Sequence, residues 1–322
     1  MTFFRKHSSF RPAALGLLLF GTAALAQETS QPVQSVSQPP MVKLNVIVLD
    51  SKNNPVTDLR QEDFHVFEGD TPQTISHFSK EDVPISYALL IDSSGSLKTQ
   101  FKGVIGAANT VIKSNGPDDE TLIVRFISSD KIELTQDFTS NKEVLHNSLN
   151  SIQVEGGQTA VIDALYVAAE RIGKHRPEED IARRRRALIL ISDGEDRNSS
   201  FKKDELSKLL RKQNIQIFII GLIGELDKDG GHIRKSAREK AVALLEELAK
   251  ETGGLAFFPR SASELQTVSS TIVRHLHTQY LIGYSPIKVN EGSYRKARIK
   301  LVDVPGRDKR RVVARPGYTL PR

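Results

Sequence analysis

The middle of the chain alternates short apolar runs with segments in which apolar residues recur every three or four positions. The runs at 87–91, 122–127, 187–191 and 215–220 are almost continuously apolar, which is typical of strands buried on both faces of a parallel sheet. The segment 101–112 has the spacing of an amphipathic helix. This alternation predicts an α/β fold with a mostly parallel central sheet and helices on both faces.

The same reading predicts the remaining elements of the middle region. The expected helices are one that follows Thr159, 202–213, 237–251 and 265–276, and the expected short strands are 132–135 and 255–258.

The two ends of the chain have strand patterns separated by turn residues. Strands are predicted at 42–50, 64–68 and 73–78, and again at 279–284, 294–302 and 310–314. Neither end contains enough chain to bury a core alone. We therefore predict that the N-terminal and C-terminal strands pack together as one small β-sandwich, with the α/β domain inserted between them.

The first forty residues predict export. Basic residues precede an apolar stretch at 13–25 that ends in Ala-Leu-Ala, as in a secretory signal cleaved after Ala26. An uncleaved anchor is the alternative, although the apolar stretch is short for a membrane span. A linker at 27–41, rich in Gln, Ser and Pro, follows. No later segment is apolar enough to be an integral membrane segment once the signal is cleaved.

Composition and charge limit the kinds of partner that this protein is expected to bind. The chain contains no cysteine, so a disulfide framework is excluded. The net charge of +6 comes largely from the arginines at 183–186 and from the C-terminal region. A basic run could bind nucleic acid or anionic lipid, but export argues against nucleic acid. We interpret the arginine run as a solvated loop.

A cluster of polar residues follows the first buried strand of the middle region. Asp92, Ser94 and Ser96 alternate after the run 87–91, and Gly95 allows a tight turn. In an open α/β sheet, ligands bind at the carboxyl ends of the strands. One carboxylate and two hydroxyls suit Mg²⁺ or Mn²⁺. The alternative is that these residues only cap the following helix.

Two later segments favour the metal interpretation. Thr159 lies in a Gly-rich loop before a helical pattern, and Asp193 follows the buried run 187–191. Together with Asp-x-Ser-x-Ser, they resemble the metal-ion-dependent adhesion site of von Willebrand factor type A domains. The resemblance implies a Rossmann-like fold for 83–278. It also implies one divalent cation, Mg²⁺ or alternatively Mn²⁺ or Ca²⁺, surrounded by Asp92, Ser94, Ser96, Thr159 and Asp193.

The flanking segments extend the resemblance. The sequence ahead of the middle region (PVTDLRQEDFHVFEGDTPQTISHF) and the sequences after it (YLIGYSPI and VVARPGYTLPR) resemble bacterial exported proteins with a VWFA-related domain. The expected organisation is a signal peptide at 1–26, a linker at 27–41, an N-terminal β segment at 42–82, the type A domain at 83–278, and a C-terminal β segment at 279–322.

These patterns predict an exported protein-binding module of the periplasm, cell surface or medium. In the family, the cation captures a carboxylate, so the expected partner is a protein that supplies a Glu or Asp. We expect no enzymatic activity, because no general base or second metal is evident. The alternatives are an Mg²⁺-dependent hydrolase or phosphoryl-transfer enzyme with Asp92 as nucleophile, and a structural envelope protein with a stabilising metal. Glu195 and Asp196 lie beside the expected site and could support it or face a partner, but we interpret them as solvated loop acids.

Overall fold

The computed structural model describes residues 41–80, 82–175, 184–226, 235–287, 292–303 and 308–319. Its strands are β1 (Val42–Leu49), β2 (Phe64–Glu68), β3 (Thr71–Gln73), β4 (Ile75–Ser79), β5 (Ile85–Asp92), β6 (Glu120–Phe126), β7 (Ile132–Thr139), β8 (Arg185–Ser192), β9 (Gln216–Gly221), β10 (Ala256–Phe257), β11 (Tyr280–Tyr284), β12 (Tyr294–Leu301), β13 (Arg311–Ala314) and β14 (Gly317–Thr319). Its helices are α1 (Phe101–Lys113), α2 (Lys142–Ser151), α3 (Val161–Lys174), α4 (Lys203–Gln213), α5 (Ala237–Thr252) and α6 (Ala262–His277).

The central sheet has six strands in the order β10-β9-β8-β5-β6-β7. Neighbours from β10 to β6 are parallel, and only the edge strand β7 is antiparallel. Every residue of β5, β8 and β9 is buried, because helices cover both faces of the sheet. The predicted mostly parallel α/β architecture is confirmed.

Alternate strand residues form two hydrophobic cores. Side chains such as Leu89 and Ile189 pack with α1, α2 and α6 on one face, whereas Leu90 and Leu190 pack with α3, α4 and α5 on the other. This division follows from the two-residue period of a strand. Helix α2 was not among the predicted elements, because Leu145 and Leu149 are its only buried residues and give a weak apolar stripe.

The ends of the chain form two antiparallel sheets that share a core. One sheet has the order β13-β1-β11-β4 and the other β14-β12-β2-β3. Their apolar faces meet in one cluster that includes Leu44, Phe64, Tyr280 and Tyr318. N-terminal strands therefore pair directly with C-terminal strands, as expected. The short strands β3 and β14 were not predicted separately, and the domain limits at 82/83 and 278/279 stay a prediction.

Strand β1 contacts both the sandwich and the α/β core. Its residues Leu44, Val46 and Val48 point into the sandwich, whereas Ile47 and Leu49 belong to the core beneath α1 and α6. From Val46 to Leu49, the strand is thus buried on both faces.

The predicted signal peptide and nearly all of the linker lie outside the described residues. No helix in the described ranges combines the length and the apolar character that a bilayer-spanning helix requires.

Polar contacts hold the junction between α6 and β11. The His277 ring contacts Asp119 Oδ2 through Nε2 at 2.9 Å and Asp82 Oδ1 through Nδ1 at 2.5 Å. The Arg185 guanidinium donates to the carbonyl oxygens of His277 at 3.4 Å and Gln279 at 3.2 Å. A cation at the carboxyl end of a helix also interacts favourably with the helix dipole.

The His277 contacts predict a pH dependence of stability. The hydrogen bond to Asp119 raises the pKa of His277 above its usual 6.5, although burial acts in the opposite direction, and Asp82 contributes a further, smaller increase. Stability from protonated His277 is complete below pH 6.5 and is lost as the pH rises through the higher pKa of the folded protein. We expect the melting temperature to fall as the pH rises above 6.5, and to fall less steeply in His277→Gln.

Melting scans across this pH range are the measurement, with His65→Gln as control because His65 is exposed on β2. Burial lowers the pKa of His275 to about 4, so the stability linked to that residue is lost as the pH falls below its ordinary value, outside this window. Equal slopes in wild type and His277→Gln would contradict the prediction.

Candidate metal site

Asp92 ends β5 at the carboxyl edge of the central sheet. Its side chain is fully buried. Oδ1 accepts a hydrogen bond from the Ser94 backbone N–H at 3.0 Å, and Oδ2 accepts one from the Ser192 hydroxyl at 2.7 Å. Because β5 and β8 are parallel neighbours, their carboxyl ends meet at this edge. Asp92 therefore contacts the end of β8.

The turn after β5 brings Ser94 and Ser96 together. Their hydroxyl oxygens are 3.0 Å apart, because a 3-10 turn at Gly95–Leu97 reverses the chain directly after Ser94. Ser94 is buried and Ser96 is exposed. The pair therefore extends from the buried carboxylate of Asp92 to the protein surface.

The loop that carries Thr159 lies between the other two polar segments. The Glu155 N–H donates to the Ser93 carbonyl at 3.0 Å. The Thr159 carbonyl accepts from the backbone N–H groups of Arg197 at 2.9 Å and Asn198 at 3.3 Å. Backbone hydrogen bonds thus connect this loop to the turn after β5 and to the loop after β8, and the Thr159 side chain is buried.

Asp193 follows β8 and has one oxygen without a partner. Oδ1 accepts a hydrogen bond from the Glu195 N–H at 3.0 Å, whereas the buried Oδ2 has no hydrogen-bond partner among the residues that the structure describes. The next residue, Gly194, has a φ of +79° and its N–H donates to the Ser192 hydroxyl at 2.9 Å. A positive φ favours glycine, so this turn keeps the Asp193 carboxylate at the edge of the sheet.

Asp92 and Asp193 share a buried environment that disfavours their charged forms. Burial, followed by the charge of Asp193, raises the pKa of Asp92 to about 6, although Ser192 and Ser94 donate hydrogen bonds to it. Burial also raises the pKa of Asp193, although hydrogen bonds from the Ser96 hydroxyl and the Glu195 N–H act in the opposite direction. Two carboxylates in a low-dielectric pocket disfavour each other's charged form, and a cation between them would remove this cost.

The donor set fits a hard divalent cation. The described residues contain no group of three or more His, Asp or Glu side chains arranged for a metal. The site instead combines two carboxylates with hydroxyls, and oxygen ligands of this kind suit Mg²⁺, Mn²⁺ or Ca²⁺. The buried, unpartnered Oδ2 of Asp193 is the atom that such an ion would satisfy.

Arg125 connects two of the site loops and was not singled out by the sequence analysis. Its Nε donates to the Ser93 hydroxyl at 3.0 Å, Nη2 pairs with Glu155 at 3.0 Å, and Nη1 pairs with Glu133 at 3.0 Å. The sequence contains a signal for this role, since Arg125 is a charged residue within the apolar run 122–127. A charge that is buried with such a run requires partners.

Asp163, in the first turn of α3, organises the loop after β8. Its Oδ1 accepts from the Phe201 N–H at 2.8 Å, and its Oδ2 accepts from the Ser200 N–H at 2.9 Å and the Ser129 hydroxyl at 2.5 Å. An acid in a first helical turn is common, so the sequence alone did not distinguish this role.

The interpretation of 183–186 as a solvated loop is wrong for the described arginines. Arg185 and Arg186 are buried in β8. Arg184 donates to the Ser86 hydroxyl at 2.9 Å and to the Asp118 carbonyl. These side chains form hydrogen bonds with backbone and polar groups at the amino edge of the sheet, opposite the candidate metal site. The sequence showed only a run of like charge and did not indicate these partners.

The interpretation of Glu195 and Asp196 as solvated acids is also wrong. Glu195 forms an ion pair with Arg197 at 2.5 Å. Asp196 accepts hydrogen bonds from the Ile162 N–H at 3.3 Å and the Ser199 hydroxyl at 2.5 Å. Both acids hold the loop after β8 in place.

The fold and the site define an α/β protein whose mostly parallel sheet carries an oxygen-rich site at the carboxyl ends of its strands. The family profile of the von Willebrand factor type A domain matches residues 88–271. This match covers more than half of the chain, and the protein belongs to the von Willebrand factor type A domain family.

Solved structures of similar fold come from bacteria and from a mussel. An aerotolerance-related membrane protein of Bacteroides fragilis is 18% identical with a TM-score of 0.46, and the match covers 59% of this chain and 98% of that protein. BatB of Bacteroides thetaiotaomicron is 20% identical with the same TM-score and the same coverage of both chains. Proximal thread matrix protein 1 of the mussel byssus, solved with a zinc-occupied MIDAS motif, is 18% identical with a TM-score of 0.47. That match covers 61% of this chain and 49% of the mussel protein. No curated protein matched the sequence.

Proposed function

We propose that this protein is an exported, divalent-metal-dependent module that binds another protein by capturing one of its acidic residues. In this proposal, Asp92, Ser94, Ser96, Thr159 and Asp193 hold Mg²⁺, or alternatively Mn²⁺ or Ca²⁺. The observation that carries it is the buried, unpartnered Oδ2 of Asp193 beside a second buried carboxylate.

The chemistry of the site favours binding over catalysis. Mg²⁺ takes six oxygen ligands, so the two carboxylates and three hydroxyls of this set would leave one position for the carboxylate of an external Glu or Asp. Asp92 is fully buried and both of its oxygens accept hydrogen bonds, which makes it a poor nucleophile. We therefore propose a non-enzymatic role in place of the Asp92-dependent hydrolase.

The residues around the site pre-organise it for a partner. Ser192 and the Ser94 N–H fix both oxygens of Asp92, and Arg125 ties the turn after β5 to the Thr159 loop. Ser96, the exposed member of the donor set, lies on the side from which a partner carboxylate would enter.

Addition of metal is expected to stabilise the protein. If the dissociation constant is about 0.1 mM, about 1 mM Mg²⁺ or Mn²⁺ adds about 1.4 kcal/mol by mass action. For a domain of this size, that is a rise in melting temperature of about 3–6 °C. A peptide with one central Glu should add a further rise only when metal is present.

The measurement is a melting scan of the mature chain in chelator and then in metal. Asp92→Ala and Thr159→Ala should abolish the shift, whereas Asp118→Asn, an exposed acid at the opposite edge of the sheet, should retain it. If wild type shows no shift with any of the three metals, the structural envelope role becomes the better explanation.

A further inference from the structure

A cleft of about 840 Å³ opens at the same edge of the sheet as the candidate metal site. Its lining comes from the start of α1, the segment after β9, the first turns of α5 and α6, and the residues after β10. In a parallel sheet with following helices, the helix N-termini gather at this edge. The cleft therefore lies among three helix starts.

The cleft adjoins the metal site. Thr99, which lines the cleft, follows Ser96 by three residues in the same stretch of chain. Leu222, on the opposite wall, donates its N–H to the Ser192 carbonyl at 2.9 Å. Adjacent strands are about 4.8 Å apart, so the cleft over β9 and β10 begins about 5–10 Å from the end of β8. An extended peptide covers this distance in about two or three residues.

The cleft has a positive rim and an apolar floor. Arg238 and Arg260 line it, and within the part of the chain that the structure describes neither guanidinium forms an ion pair or hydrogen bond. The buried Nε2 of Gln100 also has no hydrogen-bond partner within the described ranges. Leu222 and Leu265, both mostly buried, contribute apolar surface. Unpaired guanidinium groups favour a carboxylate-bearing occupant.

Acids near the rim form no ion pair with these arginines in the part of the chain that the structure describes. Glu239 accepts hydrogen bonds from the N–H and hydroxyl of Ser236, and Glu264 accepts one from the Arg260 backbone N–H. Both are therefore engaged in capping their helices. Glu225 is the one acid among the described lining residues, so two cationic side chains face one anionic side chain.

We propose that this cleft binds the partner segment that flanks the metal-bound acid, and that it selects a second carboxylate two to four residues away from that acid. This inference rests on the proposed function, and it adds a sequence preference that the metal alone would not impose. The occupant is an extended acidic peptide segment of another protein. Its second acid pairs with Arg238 and Arg260, and its intervening side chains contact the apolar floor.

The experiment measures binding of fluorescein-labelled nonapeptides with a central Glu in a Ser/Ala background, in about 1 mM Mg²⁺ and in EDTA. A second Glu is placed at each position from two to four residues on either side. At its best position, the second Glu should tighten binding about 1.5- to fivefold, the range expected for exposed ion pairs. Arg238→Gln/Arg260→Gln should abolish this gain. The control Arg298→Gln removes an exposed arginine of β12 and should retain it.

The outcomes separate the two proposals. Metal-dependent binding of the single-Glu peptide with no gain from a second Glu at any position would overturn the cleft proposal and leave the metal function standing. Binding that is equal in EDTA but lost in the double arginine variant would contradict the metal function and support the cleft. Failure of every peptide to bind the folded wild-type protein would overturn both.

Discussion

Replacing Gly254 with alanine is expected to lower the melting temperature by about 6–12 °C, which corresponds to a loss of about 3 kcal/mol. A Cβ at this position would lie 1.9 Å from the carbonyl oxygen of Ile217 and 2.7 Å from its carbonyl carbon. Both are backbone atoms of the buried strand β9, so no side-chain rotation can relieve the clash.

The position is constrained on both sides. The Gly254 N–H donates to the Ala249 carbonyl at 2.9 Å where α5 ends, and the next residue, Leu255, accepts from the Ile219 N–H at 2.9 Å. A backbone shift that accommodates alanine would therefore disturb the end of α5 and the pairing of β10 with β9.

Thermal denaturation monitored by circular dichroism is the measurement. Gly224→Ala is the matched control, because no heavy atom lies within 4 Å of its added Cβ, and its melting temperature should change little. A fall in the melting temperature of Gly254→Ala no larger than that of the control would contradict the prediction. It would show that strand β9 shifts to accommodate the added Cβ.

Replacing Glu68 with alanine is expected to cost about 3 kcal/mol, because it leaves buried polar groups without their partner. The Glu68 carboxyl, at the end of β2, accepts hydrogen bonds from the hydroxyls of Tyr284 at 3.0 Å and Tyr318. It also forms an ion pair with Arg295. These partners belong to β11, β14 and β12, so one N-terminal side chain contacts three C-terminal strands.

The tyrosines donate to Glu68 across the accessible pH range. Burial, followed by the hydrogen bond to Glu68, raises the pKa of Tyr318 to about 12, and burial is the main cause of the raised pKa of Tyr284. Without the carboxyl, both hydroxyls would lose their acceptor inside the sandwich.

The melting temperatures of Glu68→Ala, Glu68→Gln and Glu62→Ala separate this effect from a general loss of charge. Glu68→Gln retains an acceptor and should lose about half as much stability as Glu68→Ala. Among the described residues, Glu62 forms only an exposed ion pair with Arg60, so Glu62→Ala should change stability by less than about 1 kcal/mol. An equal, small effect in all three would indicate that the Glu68 contacts contribute nothing measurable to the sandwich.

Helix α6 connects the edge of the sheet that carries the candidate metal site to the sandwich. Helix α6 starts at the cleft of about 840 Å³ with Ser261 as its cap and ends at His277, which contacts Asp82 and Asp119. Tyr280 of β11, three residues later, donates its hydroxyl proton to the Val56 carbonyl at 2.9 Å. The edge of the sheet that carries the site is thus joined to the sandwich through one continuous helix.

The sequence by itself determined most of the strands and helices, although not α2, β3 and β14, and the donor types at the strand ends. Buried parallel strands are recognisable because both of their faces must be apolar, as in β5 and β8. Polar residues directly after such strands stand out for the same reason, so Asp92 and Asp193 could be singled out as candidates. The binding of metal by these residues stays a prediction.

Only the tertiary structure decided which distant residues meet. Glu68 contacts Tyr284 across 216 positions, and Arg125 contacts Ser93 across 32. Apolar residues repeat about every 2 positions in a strand and every 3.6 in a helix. This repeat specifies which face of an element is apolar, but not which other element covers that face. Runs of charge are equally ambiguous, because Arg185 and Arg186 are buried through contacts with the end of α6 and with Gln213. The partners of a buried charge are therefore determined by the packing of the elements.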